Sequence, residues 1–369
     1  MRKSKHIAAI ALVASFGLIA AACGSDSKTS NTAAPSTTTG GTMAATTTPG
    51  TTGGTTGGTM VKGLKLGIAF DTGGRGDGTF NDSAGRGADK VKSTLGATVD
   101  ELEATTADDR QPNLTTLTGN GDNPIIAVGF AFGDALAKVA AANPTTDYAC
   151  VDGYYDNATP NVAFLSFAAE QGSYLVGAAA ALKSKTHHIG FIGGQEIDLI
   201  KTFEAGYIAG AKSIDPTIKI ESQYLGAAGD NNAWTSPDKA KEIANGWYKA
   251  GADIIYTAAG GSGAGTIAAA VESNAWAIGV DSDQYLSAKP DEQKHILTSM
   301  IKRVDSAVFE ISKDFASGTF KGGVHVYDLK TDGVGYSTSG GYLDDVKDKL
   351  DAIKADIISG KIVVPTKVA

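Results

Sequence analysis

The feature that most limits what this chain can fold into is a regular alternation of short apolar runs with helical patterns, which begins at Val61. Apolar runs of this length, each followed by a helix, are typical of a parallel sheet that is covered by helices on both faces. The first series predicts strands Leu64–Phe70, Ala97–Leu102, Pro124–Val128, Asp147–Val151 and Asn161–Ser166, and helices Ser83–Ser93, Arg110–Leu117 and Phe132–Ala142.

A second series repeats this pattern along the next part of the chain. It predicts helices Ala168–Lys183, Ile197–Ser213, Ser236–Ala250 and Gly265–Glu272, and strands His188–Ile192, Lys219–Leu225, Asp253–Thr257 and Trp276–Val280. The length of 369 residues exceeds that of one average domain and suits two lobes plus tails. We therefore predict an α/β chain with two doubly wound lobes of parallel sheet.

The segments after the second series predict how the two lobes are joined. A helix Lys302–Ala316, a strand Gly323–Asp328, an extended run Gly333–Tyr336 and a helix Leu343–Ser359 follow two complete lobes. Such extra segments indicate that the chain crosses back, so we expect three crossovers and a hinge. The predicted N-terminal lobe comprises residues 62–166 and 285–328, and the predicted C-terminal lobe comprises residues 167–284 and 329–369.

Residues 1–22 have the pattern of an export signal. A basic start precedes an apolar core, Ile7–Ala22, that is short for a membrane span of about 20 residues. The string LIAAACG at residues 18–24 resembles a bacterial lipobox with Ala20 in place of the usual leucine, so Cys23 is the expected lipidation site. A soluble secreted protein with an incidental cysteine is the alternative. Residues 23–61 are rich in Ser, Thr and Gly, and we expect a disordered tether that holds the folded part outside the cell membrane.

Charge and residue usage argue against several classes of function. The net charge is −8 and no basic patch is visible, which disfavours a nucleic-acid partner. The histidines and the two cysteines lack a zinc-like spacing, so we expect no metal site and a buried thiol at Cys150. The chain has neither a Gly-x-Ser-x-Gly elbow nor a Cys–His pairing. These features favour a binding protein without a cofactor over an enzyme.

A glycine-rich loop after the first predicted strand is the leading candidate for a binding site. The stretch Leu66–Asp89 reads LGIAFDTGGRGDGTFNDSAGRGAD, and ligands bind at the carboxyl ends of strands in open α/β sheets. A phosphate cradle is disfavoured because the Walker lysine is missing and Asp71, Asp77 and Asp82 would repel phosphate. The acid spacing does not fit an EF-hand calcium loop. The favoured hypothesis is a neutral-ligand site in which Phe80 stacks on a ring, and the alternative is a tight surface turn with a structural phenylalanine.

A second glycine-rich loop, AAGGSGAG at residues 258–265, also lies between a predicted strand and a predicted helix. With Asp281 about 20 residues further on, it imitates a dinucleotide fingerprint, but the glycine spacing is off. An exported dehydrogenase that uses this loop is a minor alternative. The segment Gly279–Gln284 also fits a capped helix entry, and Lys302 taken alone fits a solvated surface charge.

Four stretches give the chain a specific resemblance. On these stretches the chain resembles the basic membrane protein family of lipoproteins, the purine nucleoside receptor type of substrate-binding protein. The resemblance implies a type I periplasmic-binding-protein fold that closes on a nucleoside and delivers it to the permease of an ABC importer. The stretches are DTGGRGDGTFNDSAGRG (Asp71–Gly87), AEQGSYLVGAAAAL (Ala169–Leu182), TFEAGYIAG (Thr202–Gly210) and IGVDSDQ (Ile278–Gln284).

The resemblance also implies roles for individual residues. Asp71 and Asn81 would bond the ligand, and Phe80 would stack on the base. Acids pair with ribose hydroxyls, and an aromatic face supplies contact area without charge. The further residues that match family positions are Asp152, Asp281 and Lys302, the last two near the ribose or base edge.

One departure concerns the second aromatic wall of the family's site. The family commonly has a Gly-Ser-Phe-x-Asp segment after the strand Lys219–Leu225, whereas this chain reads GAAGD at residues 226–230. Ala228 therefore stands where the phenylalanine would be. Trp234 lies just downstream, and we include it among the expected ligand-binding residues as the replacement. A sugar, a modified nucleoside or another small polar metabolite is the alternative ligand on the same fold.

Overall fold

The chain builds two six-stranded sheets with matching strand orders. The computed structural model of the protein describes residues 63–368. The first sheet has the order β11-β5-β4-β3-β1-β2 and the second has the order β12-β10-β9-β8-β6-β7. The strands are β1 (Lys65–Phe70), β2 (Thr98–Glu103), β3 (Ile125–Val128), β4 (Tyr148–Val151), β5 (Val162–Phe167), β6 (His188–Gln195), β7 (Lys219–Gly226), β8 (Ile254–Ala258), β9 (Trp276–Asp281), β10 (Ile296–Lys302), β11 (Gly323–Tyr327) and β12 (Val334–Tyr336).

Helices cover the sheets, and the prediction of a two-lobed α/β fold is confirmed. The central strands are apolar and buried on both faces, as β1, β3 and β8 show, which is what helices on both sides of a sheet require. β12 departs from the predicted parallel arrangement because it pairs antiparallel with β10. The helices are α1 (Phe80–Leu95), α2 (Arg110–Gly119), α3 (Gly133–Ala142), α4 (Ala169–Lys183), α5 (Asp198–Ile214), α6 (Pro237–Lys249), α7 (Gly263–Ser273), α8 (Gln284–Ser287), α9 (Pro290–Gln293), α10 (Val304–Ala316) and α11 (Lys347–Ile358).

The chain passes between the two sheets three times. It leaves the first sheet after β5, returns to it from β10 through α10, and leaves it again between β11 and β12. α10 packs on α1, and α11 packs on α4. The three predicted crossovers are therefore confirmed. We use lobe 1 for residues 63–167 and 303–327, which form the first sheet and its helices, and lobe 2 for residues 168–302 and 328–368.

The predicted boundary at residue 285 is wrong, because residues 285–302 belong to lobe 2. The helix predicted from Lys302 also starts late, at Val304, and β10 precedes it. β10 reads ILTSMIK, and its polar residues hide it from a hydrophobicity pattern although they are buried. The Thr298 hydroxyl donates to the Ser337 carbonyl at 2.6 Å, and the Ser299 hydroxyl accepts from the Gln284 N–H at 3.1 Å. The predicted signal (1–22), the tether (23–61) and Cys23 lie outside the described residues.

Two of the stretches that carry the family resemblance form one tightly packed helix pair. α4 and α5 approach so closely that a Cβ on Gly177 would lie 2.1 Å from the Tyr207 carbonyl oxygen. A Cβ on Gly206 would lie 2.2 Å from the Glu170 carbonyl oxygen, and one on Gly210 would lie 2.0 Å from that of Tyr174. These glycines let the two backbones touch, so they have a structural role in lobe 2.

We predict that Gly210→Ala destabilises the protein because the added methyl group overlaps the backbone of α4. Overpacking of this kind costs about 1–3 kcal/mol of unfolding free energy, measurable by urea denaturation. Gly246→Ala is the matched control, since Gly246 is an exposed glycine of α6 whose Cβ would meet nothing within 4 Å. The control should gain up to about 1 kcal/mol from helix propensity. Equal effects of the two changes would contradict the close-packing argument.

Candidate ligand-binding site

A cavity lies between the two lobes at the carboxyl ends of their strands. Its volume is about 710 Å³ including the opening to solvent, which falls within the range of small-molecule sites. The structure brings all the sequence-predicted candidates to the wall of this one cavity, and their contact with a ligand stays a prediction. From lobe 1 these are Asp71, Phe80, Asn81 and Asp152, and from lobe 2 they are Trp234, Asp281 and Lys302.

The carboxylate of Asp77 caps the amino terminus of α1. This carboxylate accepts hydrogen bonds from the backbone N–H groups of Thr79 at 2.9 Å, Asn81 at 2.9 Å and Asp82 at 3.1 Å. It thereby satisfies donors that a helix leaves free in its first turn. The helix begins at Phe80 and not at the predicted Ser83, so Phe80 and the Asn81 amide stand on a helical turn. Burial raises the pKa of Asp77, and the three N–H donors oppose that rise.

Some of the glycines in the loop before α1 have a structural cause and do not face the cavity. Gly74 and Gly76 have positive φ angles of 52° and 98°, and they flank Arg75. The Arg75 guanidinium bonds Glu101 at 2.6 Å and Asp89 at 3.1 Å, and the Arg75 N–H bonds Glu103 at 3.0 Å. A Cβ on Gly74 would lie 2.5 Å from the Glu103 carboxylate. Some of the glycines therefore allow the loop to fold back onto β2, while Gly73 lines the cavity.

Asp71 lines the cavity and forms an ion pair with Arg110. Its Oδ1 atom accepts from the Arg110 Nε at 2.9 Å and from the Thr72 N–H at 2.8 Å. Arg110 is the buried first residue of α2, so the pair is largely shielded from water and the carboxylate is held in one orientation. Asp71 presents a neutralised acid to the cavity, with Oδ2 free of these two donors.

Three polar atoms on the cavity wall have no hydrogen-bond partner among the described residues. They are the hydroxyl of Thr72, the Oδ1 atom of Asn81 and the Oδ1 atom of Asp281. Buried polar atoms are nearly always satisfied in folded proteins, and leaving one unpaired costs about 1–3 kcal/mol. Because they lie on the cavity wall, we expect these three atoms to be hydrogen-bond partners of a ligand.

Lys302 is buried, and the alternative that it is a solvated surface charge is wrong. It is the last residue of β10, and its ammonium forms an ion pair with Asp152 of lobe 1, the two side chains being 3% and 6% exposed. The ammonium also lies 4.8 Å from the Phe80 ring centroid, 5.1 Å from that of Phe167 and 5.6 Å from that of Phe203. These faces stabilise a cation, so Lys302 is held at the point where both lobes meet.

Asp152 and Asp281 occupy equivalent positions in the two lobes. The matching strand orders pair β4 with β9, and the two acids stand at the carboxyl ends of these strands. Both have a left-handed backbone, with φ of 61° at Asp152 and 62° at Asp281. A non-glycine residue in this region is uncommon and is concentrated at functional sites. The duplicated lobes thus place two strained acids around a single lysine.

Of the four acids on the cavity wall, Asp281 is the one whose Oδ1 atom has no hydrogen-bond partner among the described residues. The ammonium of Lys302 is engaged by Asp152, and Asp281 is 7% exposed. Burial raises the pKa of Asp281 to about 7, Lys302 opposes the rise, and the carboxylates of Asp152 and Asp77 add to it. A hydrogen-bond donor from a ligand would favour the charged form of this carboxylate.

The comparison with known families decides what kind of site this is. Residues 65–367 match the family model described as Bmp, an ABC transporter substrate-binding protein, PnrA-like. The chain belongs to this family. It is therefore a substrate-binding protein of the ABC-transporter class, and the resemblance drawn from the sequence motifs is confirmed.

Relatives and solved structures agree with this assignment. The chain is 36% identical over 324 residues to the "ABC transporter nucleoside-binding protein BmpA" of Lactococcus lactis, covering 82% of this chain and 90% of that protein. It is 35% identical over 274 residues to "Basic membrane protein D" of Borreliella burgdorferi, covering 72% and 75%. An ABC transporter solute-binding protein from Aeropyrum pernix superposes with a TM-score of 0.72 at 27% identity, covering 82% of this chain and 94% of that one.

In this Bmp-family chain the cavity also uses residues that the sequence did not single out. Phe130 follows β3 of lobe 1, and Leu199, Ile200 and Phe203 come from the first turns of α5 in lobe 2. A GF pair directly after a buried strand was a usable signal for Phe130. The α5 residues form part of an amphipathic helix whose apolar face looks like ordinary core, and nothing local distinguishes them.

Trp234 reaches the cavity from a turn that follows β7. The Asp230 carboxylate caps this turn by accepting the Asn232 N–H at 3.1 Å. Trp234 lies close to the second glycine-rich loop. A Cβ on Gly261 of this loop would lie 3.4 Å from the Trp234 carbonyl oxygen and 3.8 Å from the Asp77 carbonyl oxygen. The loop is therefore packed against both lobes, in a setting unlike that expected of the dinucleotide-binding alternative.

Residues 63–368 contain no group of three or more His, Cys, Asp or Glu side chains arranged to hold a metal ion. None of the helices in this part of the chain combines the length and apolar character that a membrane crossing requires.

We predict that Asp281→Asn changes how stability depends on pH. The pKa of an aspartate in an unfolded chain is near 4, and the pKa of Asp281 in the fold is about 7. Between these values the folded state binds the proton more tightly than the unfolded state, so the free energy of unfolding falls as the pH rises. The amide introduced by the substitution cannot ionise, so the variant should gain melting temperature relative to the parent between about pH 4 and pH 8.

The control for this measurement is Asp348→Asn, a change at an exposed aspartate of α11. Its melting temperature should follow that of the parent protein across the pH range. A constant difference between Asp281→Asn and the parent at all pH values would show that burial does not perturb Asp281.

Proposed function

We propose that this protein is a lipid-anchored, extracytoplasmic substrate-binding protein that binds a nucleoside, of the purine type, for an ABC importer. The observation that carries the proposal is the combination of unpartnered acceptors with aromatic rings in one interlobe cavity. The Oδ1 atoms of Asn81 and Asp281 have no hydrogen-bond donor among the described residues, while Phe80 and Trp234 supply planar apolar faces. A nucleoside carries hydroxyl donors and an aromatic ring in one small molecule.

The arrangement of the cavity wall supports a particular orientation of the ligand. Lys302, Asp152 and Asp281 form a polar end near the second crossover. Trp234 and Phe130 form an aromatic end, where their ring centroids are 6.2 Å apart. The ribose hydroxyls suit the polar end, and the base suits the space between Phe80, whose ring lies 4.8 Å from the Lys302 ammonium, and the aromatic end.

The charges of the cavity favour an uncharged nucleoside over a nucleotide. Asp71 is paired with Arg110, Asp152 is paired with Lys302, and Asp281 has no cation of its own among the described residues. A phosphate group would add negative charge beside these acids, at a cost that burial makes large. A neutral molecule that donates hydrogen bonds avoids this repulsion.

The relatives support the same ligand class and the same setting. The Lactococcus lactis protein is named as nucleoside-binding, and the Borreliella burgdorferi protein is named as a basic membrane protein. The ABC-transporter class of the family gives this chain a permease as its partner. Closure of the two lobes around the ligand would present that partner with one liganded shape.

We predict that Phe80→Ala weakens nucleoside binding by about tenfold or more, since the ring supplies contact area and stacking worth over about 1 kcal/mol. Isothermal titration with adenosine, guanosine and inosine measures the dissociation constants. Phe309→Ala is the matched control: Phe309 is also partly buried beneath a lysine, with Lys90 Nζ at 4.2 Å from its centroid, and it lies outside the cavity. The control should bind like the parent protein.

Two results would contradict the proposed ligand, and a third would change the role of Phe80. No binding of any nucleoside at about millimolar concentration, against the micromolar or tighter affinity expected of a receptor, would remove the ligand class. Binding of pentoses or hexoses instead would assign the cavity to a sugar. Unchanged affinity in Phe80→Ala, with binding intact, would make Phe80 a structural residue.

We predict that Cys23→Ser releases the protein from the membrane. The hydroxyl of serine cannot take the thioether-linked lipid, so the chain should lose metabolic labelling with a fatty acid and move to the aqueous phase in detergent partition. Cys150→Ser is the control, because Cys150 is buried and not available for acylation. Retention of Cys23→Ser in the detergent phase would contradict a lipid anchor at this residue.

A further inference from the structure

One aromatic contact at the cavity joins the two lobes directly. Phe130 of lobe 1 and Trp234 of lobe 2 meet edge to face, with ring centroids 6.2 Å apart and ring planes at 66°. We call these residues the Phe130–Trp234 pair. Both rings line the cavity, and both are partly buried.

The two rings of the Phe130–Trp234 pair come from different lobes. The Trp234 ring lies against β6 where Gly194 has no side chain, since a Cβ there would be 2.1 Å from the Trp234 ring. Phe130 follows Gly129, whose φ is 129° and whose Cβ would lie 3.0 Å from the Asp71 carboxylate, so the backbone before the ring packs within lobe 1. The contact between the rings therefore depends on how the lobes are arranged.

The pair lies on an edge of the cavity where other parts of the lobes also meet. A Cβ on Gly73 of lobe 1 would lie 3.8 Å from the Thr235 methyl group of lobe 2. The crossovers leave from β5, β10 and β11, on one side of each strand order, whereas Phe130 follows β3 and Trp234 lies against β6, at least two strands away. A rigid-body opening of the lobes would therefore separate the two rings.

We infer that the Phe130–Trp234 pair is a closing contact of the cleft, beside polar ones such as the Ser282 hydroxyl donating to the Thr79 carbonyl at 2.6 Å, and that it lengthens the time a ligand stays bound. The two rings can meet only when the lobes are closed, and both also face the ligand. A ligand with a planar face adds packing to this contact and so favours the closed state. The inference rests on the proposed nucleoside function only for the choice of probe.

A kinetic double-mutant cycle tests the inference. Phe130→Leu, Trp234→Leu and the double variant are compared by stopped-flow dissociation of guanosine. Loss of the edge-to-face contact should raise koff about 2- to 10-fold in each single variant with little change in kon. The double variant should raise koff by less than the product of the two single effects, because the ring–ring contact is already lost in either single variant.

Tyr285→Leu supplies the matched control. Tyr285 and Tyr342 have nearly the same geometry as the pair, with centroids 6.4 Å apart and planes at 67°, but both belong to lobe 2 and lie outside the cavity. The koff of guanosine from Tyr285→Leu should equal that from the parent protein. Multiplicative effects in the Phe130/Trp234 double variant would mean that each ring contacts the ligand independently, and this would overturn the inference.

A second measurement needs no ligand and separates this inference from the proposed function. Trp247→Phe with Trp276→Phe leaves Trp234 as the remaining tryptophan. Adding Phe130→Leu should shift its emission to the red, since Trp234 gains contact with water. An unchanged emission spectrum would overturn the closing contact. Failure of adenosine, guanosine and inosine to bind the parent would instead remove the nucleoside proposal, while the fluorescence result still decides the role of the pair.

Discussion

The structure depends on one ammonium group that two lobes share. Among the residues that line the described cavity, Lys302 is the only lysine or arginine, and the lobes bring Asp71, Asp77, Asp152 and Asp281 to the same wall. Each acid but one has its charge offset by a group other than the ligand. In the proposed function, the remaining acid, with its unpartnered oxygen, favours a neutral molecule rich in hydrogen-bond donors.

The same arrangement follows from the way the chain is built. The two sheets have matching strand orders and face each other with equivalent edges. Asp152 and Asp281 therefore lie at equivalent positions, and both have a left-handed backbone. Three crossovers let the lobes move as rigid bodies while Lys302 stays at one of the crossing points. A ligand that satisfies Asp281 and packs on both lobes shifts the population toward closure, and it can do so only through contacts that the open form lacks.

Much of the fold could be predicted because apolar periodicity reports burial directly. β1 and most helices lie close to their predicted bounds. β10 was missed because its buried Thr298, Ser299 and Lys302 are satisfied by residues distant in the chain, namely Ser337, Gln284 and Asp152. No local pattern carries such a contact, and the domain boundary was misplaced for the same reason.

The candidate site could also be predicted from the sequence only in part. Phe80 and Asn81 could be identified because the loop around them is unusual in composition, although Asp77 moves their helix start. Trp234 was expected only as a replacement for the aromatic missing at Ala228, and Gly194 is what lets it reach the cavity wall. The glycines of α4 and α5 contribute to the family resemblance, yet they serve helix packing.

The most direct test of the central claim is a crystal structure of the protein with guanosine. The account predicts a ring between the lobes beside Phe130 and Trp234, and ribose hydroxyl oxygens about 2.6–3.0 Å from Oδ1 of Asp281. A guanosine that binds elsewhere, or that leaves the Asp281 oxygen without a donor, would contradict it.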